Sequence, residues 1–409
     1  MEPLSTTAFL VSAAVKVLVI FTVWLLVVAG VTLAERKVAA WIQDRSGPNR
    51  VGPWGVLQPI ADGIKNFVKE EHIPGGASRI LFHLAPVMAM FPAFVVFAVI
   101  PVAAPLPTPW GLVEVIIADL PIGFLFVLAL ASLGVYGLTL GGWASNSKYS
   151  FLGGVRASAQ MISYEVALGL SLVPIFMLAG NVTLPEMVRQ QQNSLWYILP
   201  LMVGFLFFSV SYFAETNRMP FDMVEAESEL VYGFHTEYSA MKFAMFMMAE
   251  YANLVTASAL MATFFFGGWD IPFWTGDNIS VAADGAVVGA VPAWWITLLT
   301  AASFAAKTGF FIFVFMWVRW TVPRFRYDQV MSLGWKVLIP MSVVYVAILG
   351  AAMLALDAAG IEFGVRYALS LTAINVVLMA GIVFWLDRRR IILGAAWRQV
   401  RPQQARSRG

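Results

Sequence analysis

The sequence contains no cysteine, only three histidines and few charged residues. Without thiols the chain can form no disulfide and cannot ligate an iron–sulfur cluster through cysteine. His72, His83 and His235 are far apart in the sequence, so no zinc or bis-histidine haem site is indicated, and we expect neither a metal nor a bound cofactor on this chain. Charged residues make up 12% of the chain, about half of the roughly 25% in ordinary soluble domains. An ordinary soluble domain is therefore excluded.

Long apolar runs dominate what is present. The chain is 60% hydrophobic and has 31 Phe and 15 Trp, with a mean hydropathy of +0.77. A helix crosses a hydrocarbon core with about 20 apolar residues. We predict an all-α integral membrane protein, a polytopic bundle of about nine transmembrane helices forming one domain over residues 1–409. The predicted spans are 10–33, 80–103, 120–142, 158–179, 196–214, 241–267, 292–318, 337–356 and 367–386.

Basic residues are distributed unequally between the two sides of these spans. All but four of the 26 Lys and Arg residues lie in the connectors after spans one, three, five and seven or in the C-terminal tail. The exceptions are Lys16, Arg189 and Arg366 on the other side and Lys307 within the seventh span. The positive-inside rule then predicts an outside N-terminus and a cytoplasmic C-terminus. We expect the outer connectors, such as 101–109 and 268–290, to be plain turns.

The first cytoplasmic connector, residues 34–79, contains a predicted amphipathic helix. From Val56 onward apolar side chains recur at helical spacing, with Asp62 and Lys65 on the opposite face. The preceding GPNRVGPWG is typical of turns. Such a helix lies in the membrane interface. It is either a surface anchor or the cover of an amphipathic cavity that opens into lipid.

The third cytoplasmic connector, residues 214–240, is acidic. It holds six carboxylates between Glu215 and Glu237, and Arg218 is the one basic residue among them. Like charges this close disfavour simultaneous ionisation where water is excluded. A solvated acidic loop is the alternative, but the many interleaved apolar residues favour a packed segment. The pattern indicates a place where protons or cations are handled at the membrane edge.

Of the ionisable residues within or at the ends of predicted spans, Glu165, Glu215, Glu250 and Lys307 are the candidates for a functional role. A charged side chain inside a membrane costs a few kcal/mol unless it is paired or hydrated, so a functional role is the default interpretation. Lys307 is a natural partner for a buried acid. Its alternative role is a static charge partner that fixes helix packing. The C-terminal tail, residues 387–409, is basic and is expected to be cytoplasmic.

Four segments together resemble a known family, the membrane H subunit of bacterial NADH:quinone oxidoreductase, respiratory complex I. They include AERKVAAWIQDRSGPNRVGPWGVLQPIADGIKNFVKE and AETNRMPFDMVEAESELVYGFHTEYSAMKFAMFMMAEY. The other two are GGWASNSKYSFLGGVRASAQMISYE and RWTVPRFRYDQVMSLGWKVLIP. The resemblance extends from Val11 to about Pro340, and the last span and tail look like an addition found in some bacterial members.

The resemblance implies a protein without a redox centre, and so without catalytic residues, that forms the floor and entrance of a quinone chamber. Quinone is the implied substrate, and FMN and iron–sulfur clusters are implied in partner subunits. Implied partners are peripheral-arm subunits, including the one with the terminal cluster, small and antiporter-like membrane subunits, and lipid of the bacterial cell membrane. The implied quinone-binding residues are Glu35, Arg36, Asp62, Lys65 and Phe221. The proton-coupling residues are Glu165, Glu215, Asp222, Glu225, Glu227, Glu229, Glu250 and Lys307.

Three other functions are compatible with parts of the pattern. A homologous membrane subunit of a hydrogenase or ferredoxin-linked complex would keep the fold and change the electron donor. A stand-alone cation/proton transporter would work without peripheral partners, but no internal repeat is visible. A purely structural anchor is disfavoured by ionisable residues within the spans.

Overall fold

The chain is described by a computed structural model that covers residues 6–109, 111–224, 231–281, 287–289 and 291–388. Within these residues, eight helices are long and apolar enough to cross a membrane, so the predicted all-α polytopic membrane fold is confirmed. Tyr327–Ala358 counts as one of the eight and consists of two helices joined by a π-helical turn. The helices are α1 (Thr6–Ile42), α2 (Gln58–Val68), α3 (Arg79–Val95), α4 (Gly123–Ala144), α5 (Lys148–Ala179), α6 (Leu184–Asn193), α7 (Met202–Glu215), α8 (Ala240–Phe265), α9 (Trp294–Thr321), α10 (Tyr327–Leu333), α11 (Ile339–Ala358) and α12 (Val365–Arg388).

The connector after α1 differs from the sequence expectation at its start. Helix α1 has 37 residues and continues to Ile42, so Glu35 and Arg36 lie on a helix. The chain then reverses through turns in which Gly52 and Gly55 have positive φ, a conformation that favours glycine. The predicted amphipathic helix follows as α2, with no buried residue. Its apolar side chains, such as Ile60, Ile64 and Phe67, are exposed, as suits a helix at a membrane interface.

The fifth predicted span, 196–214, is wrong in its first part. Residues 195–201 form turns, and α7 begins only at Met202. A helix of 14 residues is about 21 Å long, short of the roughly 30 Å hydrocarbon core. The physical reason is Pro200, which lacks an N–H donor and disfavours helical geometry at Leu199.

The connectors predicted to lie outside contain regular secondary structure and are not the plain turns that were expected. Strands β1 (Ala103–Thr108) and β2 (Gly111–Val115) form an antiparallel hairpin in the connector after α3. Strands β3 (Ile279–Val281) and β4 (Val287–Gly289) pair in the same way before α9. Helix α6 lies between α5 and α7 and packs against α8.

The bundle core lies among α3, α4, α5, α7, α8 and α9. Two glycines permit backbone contacts that a side chain would block. A Cβ on Gly137 of α4 would lie 2.5 Å from the Ala89 nitrogen of α3, and a Cβ on Gly153 of α5 would lie 2.6 Å from the Phe234 nitrogen. These contacts bring α3 close to α4 and fix the short 3₁₀ helix Gly233–His235 against α5.

Candidate functional site

Four charged side chains from four parts of the chain meet in the protein interior. Glu35 lies near the end of α1, Arg218 follows α7, Glu250 belongs to α8 and Arg319 to α9. Arg218 Nη1 lies 2.7 Å from Glu35 Oε2, and its Nε lies 2.8 Å from Glu250 Oε1. Arg319 Nη1 contacts the other Glu35 oxygen. We call these residues the ion-pair cluster.

Arg218 is the centre of this cluster. Its side chain is 1% exposed, and its guanidinium lies 4.4 Å from the centre of the Tyr251 ring. Burial lowers the pKa of Arg218, but the negative charges of Glu250 and Glu35 raise this pKa by more than burial lowers it. The net shift is upward. The guanidinium therefore stays charged. Because two acids face two arginines, the buried cluster is neutral as a whole.

A second group of charges lies at the base of α2. Arg36 Nη1 is 2.6 Å from Asp62 Oδ2, and Lys65 Nζ is 3.5 Å from Asp62 Oδ1. Partial burial opposes the Asp62 charge, but hydrogen bonds from Arg36 and Gln58 outweigh it and hold the Asp62 pKa below its usual range. Three predicted quinone-binding residues, Arg36, Asp62 and Lys65, thus lie together. Glu35, the fourth predicted quinone-binding residue, directly precedes Arg36 on α1, but its side chain belongs to the ion-pair cluster.

Phe221, the fifth predicted quinone-binding residue, lies in the chain that follows α7. It is buried, and the centre of its ring is 5.5 Å from those of Tyr164 and Phe325. Its carbonyl accepts a 2.8 Å hydrogen bond from Gln160 Nε2, which also donates to the Ala214 carbonyl at 2.8 Å. Phe221 therefore holds the chain after α7 against α5.

A cavity lies between α3, α4, α5, α7 and α8, beside the ion-pair cluster. It contains about 910 Å³ of empty space, including the part open to the surroundings. Glu250 belongs to both the cavity wall and the cluster. We call it the acidic cavity. Its ionisable and amide-bearing lining residues are Tyr212, Glu215, Asn217, His235, Glu250 and Asn253.

Two predicted proton-coupling glutamates are close enough for their charges to interact, Glu165 on α5 and Glu215 at the end of α7. Glu165 accepts a hydrogen bond from the Ser132 hydroxyl of α4. Glu215 is buried, and its Oε2 has no hydrogen-bond partner among the described residues. This oxygen can accept a proton, or a hydrogen bond from a water molecule, because no group in the described part of the protein donates a hydrogen bond to it.

Comparison with known proteins identifies the family. A family profile described as NADH dehydrogenase matches residues 15–350. An H subunit of the NADH-quinone oxidoreductase of Cytophaga hutchinsonii is 47% identical over 346 residues, which cover 85% of this chain and 98% of that relative. The corresponding H subunit of Geobacter metallireducens is 49% identical over 335 residues, 82% of this chain and 94% of the relative. The chain belongs to this H-subunit family.

Membership of the H-subunit family confirms the resemblance found in the sequence. The ion-pair cluster and the acidic cavity both lie inside the matched region, residues 15–350, whereas α12 lies beyond it. Among the described residues, no group of three or more His, Asp or Glu side chains is arranged to hold a metal ion.

The acidic connector, residues 214–240, which we call the acidic segment, is described only in part. Asp222 Oδ2 lies 3.7 Å from Arg324 Nη2, and Arg324 also donates to the Asp222 carbonyl. The predicted proton-coupling residues Glu225, Glu227 and Glu229 lie outside the described residues.

Sequence reasoning did not assign a role to His235, although it lines the acidic cavity. Its ring centre is 4.4 Å from that of Tyr232 and 4.6 Å from that of Phe234. Burial lowers its pKa from 6.5 to about 3. Among the described residues, neither ring nitrogen has a hydrogen-bond partner. The imidazole is therefore neutral at pH 7.

We expect the segment around His235 to open as the pH falls. The packed segment keeps a neutral imidazole, whereas the opened segment takes up a proton below about pH 6.5. The free energy that favours the packed segment is therefore unchanged above about pH 6.5 and falls by roughly 1.4 kcal/mol for each pH unit below it. Hydrogen–deuterium exchange of residues 231–239 should rise between about pH 7 and pH 5, after correction for chemical exchange. His235→Phe should abolish the rise and exposed His72→Gln should not; equal pH dependence in wild type and His235→Phe contradicts this assignment.

Lys307 lies near buried acids, as the sequence suggested, but these acids are Asp270 and Asp277 rather than the glutamates of the spans. Its Nζ donates to the backbone carbonyls of Phe266 at 2.7 Å, Gly268 at 3.0 Å and Asp270 at 2.6 Å. It also lies 4.2 Å from the centre of the Trp196 ring. Lys307 therefore caps the carboxyl end of α8 through the carbonyl of its C-cap residue, Phe266, where a positive charge is favoured, and it also binds two carbonyls of the turn that follows.

Three further residues of the site were not assigned to it from the sequence: Arg218, Arg319 and Ser132. Arg218 had a visible signal, since it is the one basic residue in the acidic segment. Arg319 belongs to RWTVPRFRYDQVMSLGWKVLIP, one of the segments that carry the resemblance, but no residue of that segment was given a role. Ser132 carried no signal, because a lone serine in an apolar helix usually bonds its own backbone, as Ser132 also does with Leu128 at 3.0 Å.

Proposed function

We propose that this chain is the quinone-site membrane subunit of a proton-translocating NADH:quinone oxidoreductase. The relatives that match most of the chain are named as the H subunit of that enzyme. The observation that carries the mechanism is Glu250, because it is shared by the ion-pair cluster and the acidic cavity. A change of charge near α1 and α2 can therefore affect Glu250 and the acidic cavity through the contacts of Arg218 with Glu35 and Glu250.

The region around α2 is the proposed floor and entrance of the quinone chamber. A quinone needs donors for its two carbonyl oxygens and an apolar path for its tail. Arg36 and Lys65 offer the donors, and the exposed apolar face of α2 offers the path. Asp62 holds both cations in place. The inward turn of Glu35 supports a sensing role for this acid, rather than direct contact with the headgroup.

Quinone becomes quinol by taking up two electrons and two protons. The electrons come from a partner protein of the complex, whose FMN and iron–sulfur centres supply the redox chemistry. In our proposal the change of charge alters how Arg218 is shared between Glu35 and Glu250. Glu250 then changes its proton affinity, and Glu215 and Glu165 pass the proton on toward antiporter-like membrane subunits. The acidic segment is the proposed proton entry and contains Asp222, Glu225, Glu227 and Glu229.

The location of the protein is part of the same proposal. We place it in a bacterial cell membrane with the N-terminus outside and the C-terminus in the cytoplasm. The bias of Lys and Arg toward one set of connectors supports this orientation. The peripheral arm would then contact the side that holds α2 and the acidic segment.

Replacing Glu215 with glutamine tests the proton route in the assembled complex. We expect proton-coupled NADH–quinone turnover to fall by roughly tenfold or more, because acid–base groups in proton transfer typically contribute about 10²–10⁴-fold. Turnover and proton uptake are measured together in sealed membrane vesicles.

The matched control is Glu186→Gln on α6, an acid paired with Arg189 at 3.4 Å and remote from the acidic cavity. It should retain both rates. A wild-type proton-to-electron ratio and turnover in Glu215→Gln would remove Glu215 from the route.

A further inference from the structure

The last helix, α12, lies outside the region that matches the family profile, which ends at residue 350. It packs against α7 and α11. Tyr367, Leu371 and Asn375 are buried in this contact, whereas Leu369 and Val377 are exposed on its other side. The additional helix therefore has one face fitted to the bundle.

A polar contact lies at the centre of this face. Asn375 is fully buried, and its Nδ2 donates to the Pro200 carbonyl at 2.6 Å and to the Leu371 carbonyl at 3.1 Å. Its Oδ1 accepts from the Tyr345 hydroxyl of α11 at 2.9 Å. The Tyr345 ring and hydroxyl also lie against the backbone of Gly204 in α7. One side chain of α12 and one of α11 thus hold the start of α7.

The start of α7 needs such partners. Residues 195–201 are not helical, although they are apolar and adjoin a span that is too short to cross the membrane by itself. Lipid offers no hydrogen bonds, so irregular backbone at membrane depth persists only where protein covers and satisfies it. Asn375 supplies a donor to the Pro200 carbonyl that lipid cannot supply.

The other end of α7 is the acidic cavity. Glu215 is the last residue of this helix, and its Oε2 lacks a hydrogen-bond partner among the residues described. Its position is therefore set mainly by the helix that carries it. Helix α7 has no internal proline, so a displacement at its start is carried along its 14 residues to Glu215.

We propose that Asn375 is a positioning residue and that α12 is an intramolecular clamp on α7 that fixes Glu215 in the acidic cavity. The proposed consequence for proton coupling rests on the function proposed above. The structural part does not: it states that the contact at Pro200 controls how closed the cavity is around the end of α7.

The absence of native cysteine allows a direct test. Thr216→Cys places one thiol in the cavity wall, next to Glu215, where the native side chain is 1% exposed. In the assembled complex in native membranes, the labelling rate of this thiol by a water-soluble maleimide is compared with and without Asn375→Leu. We expect an increase of about tenfold, because the Pro200 carbonyl loses its donor and the Tyr345 hydroxyl loses its acceptor.

Tyr345→Phe is the milder second variant, in case Asn375→Leu prevents assembly. It should raise labelling in the same direction, and the double variant should fall short of the product of the single effects because both residues serve one network. Asn375→Gln keeps donor and acceptor and should restore slow labelling. Exposed Val377→Leu on the same helix is the control and should leave the rate unchanged.

Unchanged labelling in Asn375→Leu and in Tyr345→Phe, in complex that has assembled, overturns the clamp. A role in stability alone would lower the amount of complex without changing the labelling rate or the pH profile of turnover. If labelling rises but Glu215→Gln keeps a normal proton-to-electron ratio, the clamp stands and the proposed proton route fails. The two proposals can therefore be judged separately.

Discussion

Replacement of Arg218 with methionine is expected to have the largest effect of any single substitution in this chain. Among the described residues, it removes the one guanidinium that contacts both Glu35 and Glu250. The buried Glu35 and the partly buried Glu250 remain, and Arg319 contacts only Glu35. Removing one partner of a buried ion pair costs about 3–5 kcal/mol. We expect the amount of assembled complex to fall by at least about tenfold, measured on native gels. The residual complex should transfer electrons with a reduced proton-to-electron ratio.

Charge balance gives the sharpest control. The triple variant Arg218→Met, Glu35→Gln and Glu250→Gln removes the arginine together with both acids, so assembly should recover substantially. In our proposal proton coupling stays lost, because the shared charge is gone. If this neutral triple variant pumps normally, the cluster serves only to hold helices together.

A matched arginine is available on the other side of the bundle. Arg189 pairs with Glu114 at 2.5 Å and with Glu186 at 3.4 Å, and its side chain is 17% exposed. Arg189→Met also removes an arginine from between two acids, but away from the acidic cavity. We expect a smaller loss of assembly and an unchanged proton-to-electron ratio. An equal effect of both substitutions would show that the position of Arg218 confers nothing special.

Local patterns predicted much of the fold. Eight of the nine predicted spans correspond to long apolar helices in the described part of the chain, because a bilayer requires about 20 residues per crossing. Helix α2 follows from its helical spacing of apolar residues, and its turns from glycine and proline. The exception at 196–214 has a local cause too, since Pro200 stands inside the predicted span. Hydropathy averages over such a residue, and the break goes unnoticed.

The site was harder to predict because its contacts join distant parts of the chain. Glu35 and Arg218 are 183 residues apart in sequence, and Glu35 and Arg319 are 284 apart. Single-sequence patterns indicate that a buried acid needs a partner, but not which basic residue supplies it. Lys307 illustrates the difficulty. It was expected beside a buried acid, and the acids near it are Asp270 and Asp277 of the connector after α8. The ammonium donates to backbone carbonyls of the same connector, which no sequence pattern indicated.

The Lys307 contacts lead to the second large expected effect. Lys307→Met leaves the carbonyls of Phe266, Gly268 and Asp270 without this donor. The Asp270 carbonyl keeps the Ser303 hydroxyl as a donor at 3.1 Å. The other two carbonyls lose their donor at about 1–3 kcal/mol each, so we expect a loss of stability on the order of 2 kcal/mol or more. Thermal unfolding of the purified complex, followed by the appearance of free subunit on native gels, measures this loss.

Lys307→Gln separates capping from proton transfer. The glutamine amide carries two donors and no titratable proton, so it can satisfy two of the three carbonyls without a charge. If Lys307 is a cap, this variant recovers much of the stability and pumps with a wild-type ratio and an unchanged pH profile of turnover. If Lys307 relays protons, the variant assembles and fails to pump. We expect the first outcome, because the ammonium already donates a hydrogen bond to each of three fixed carbonyls. If Lys307 gave up a proton, it would lose one of these three hydrogen bonds and its positive charge at the end of α8.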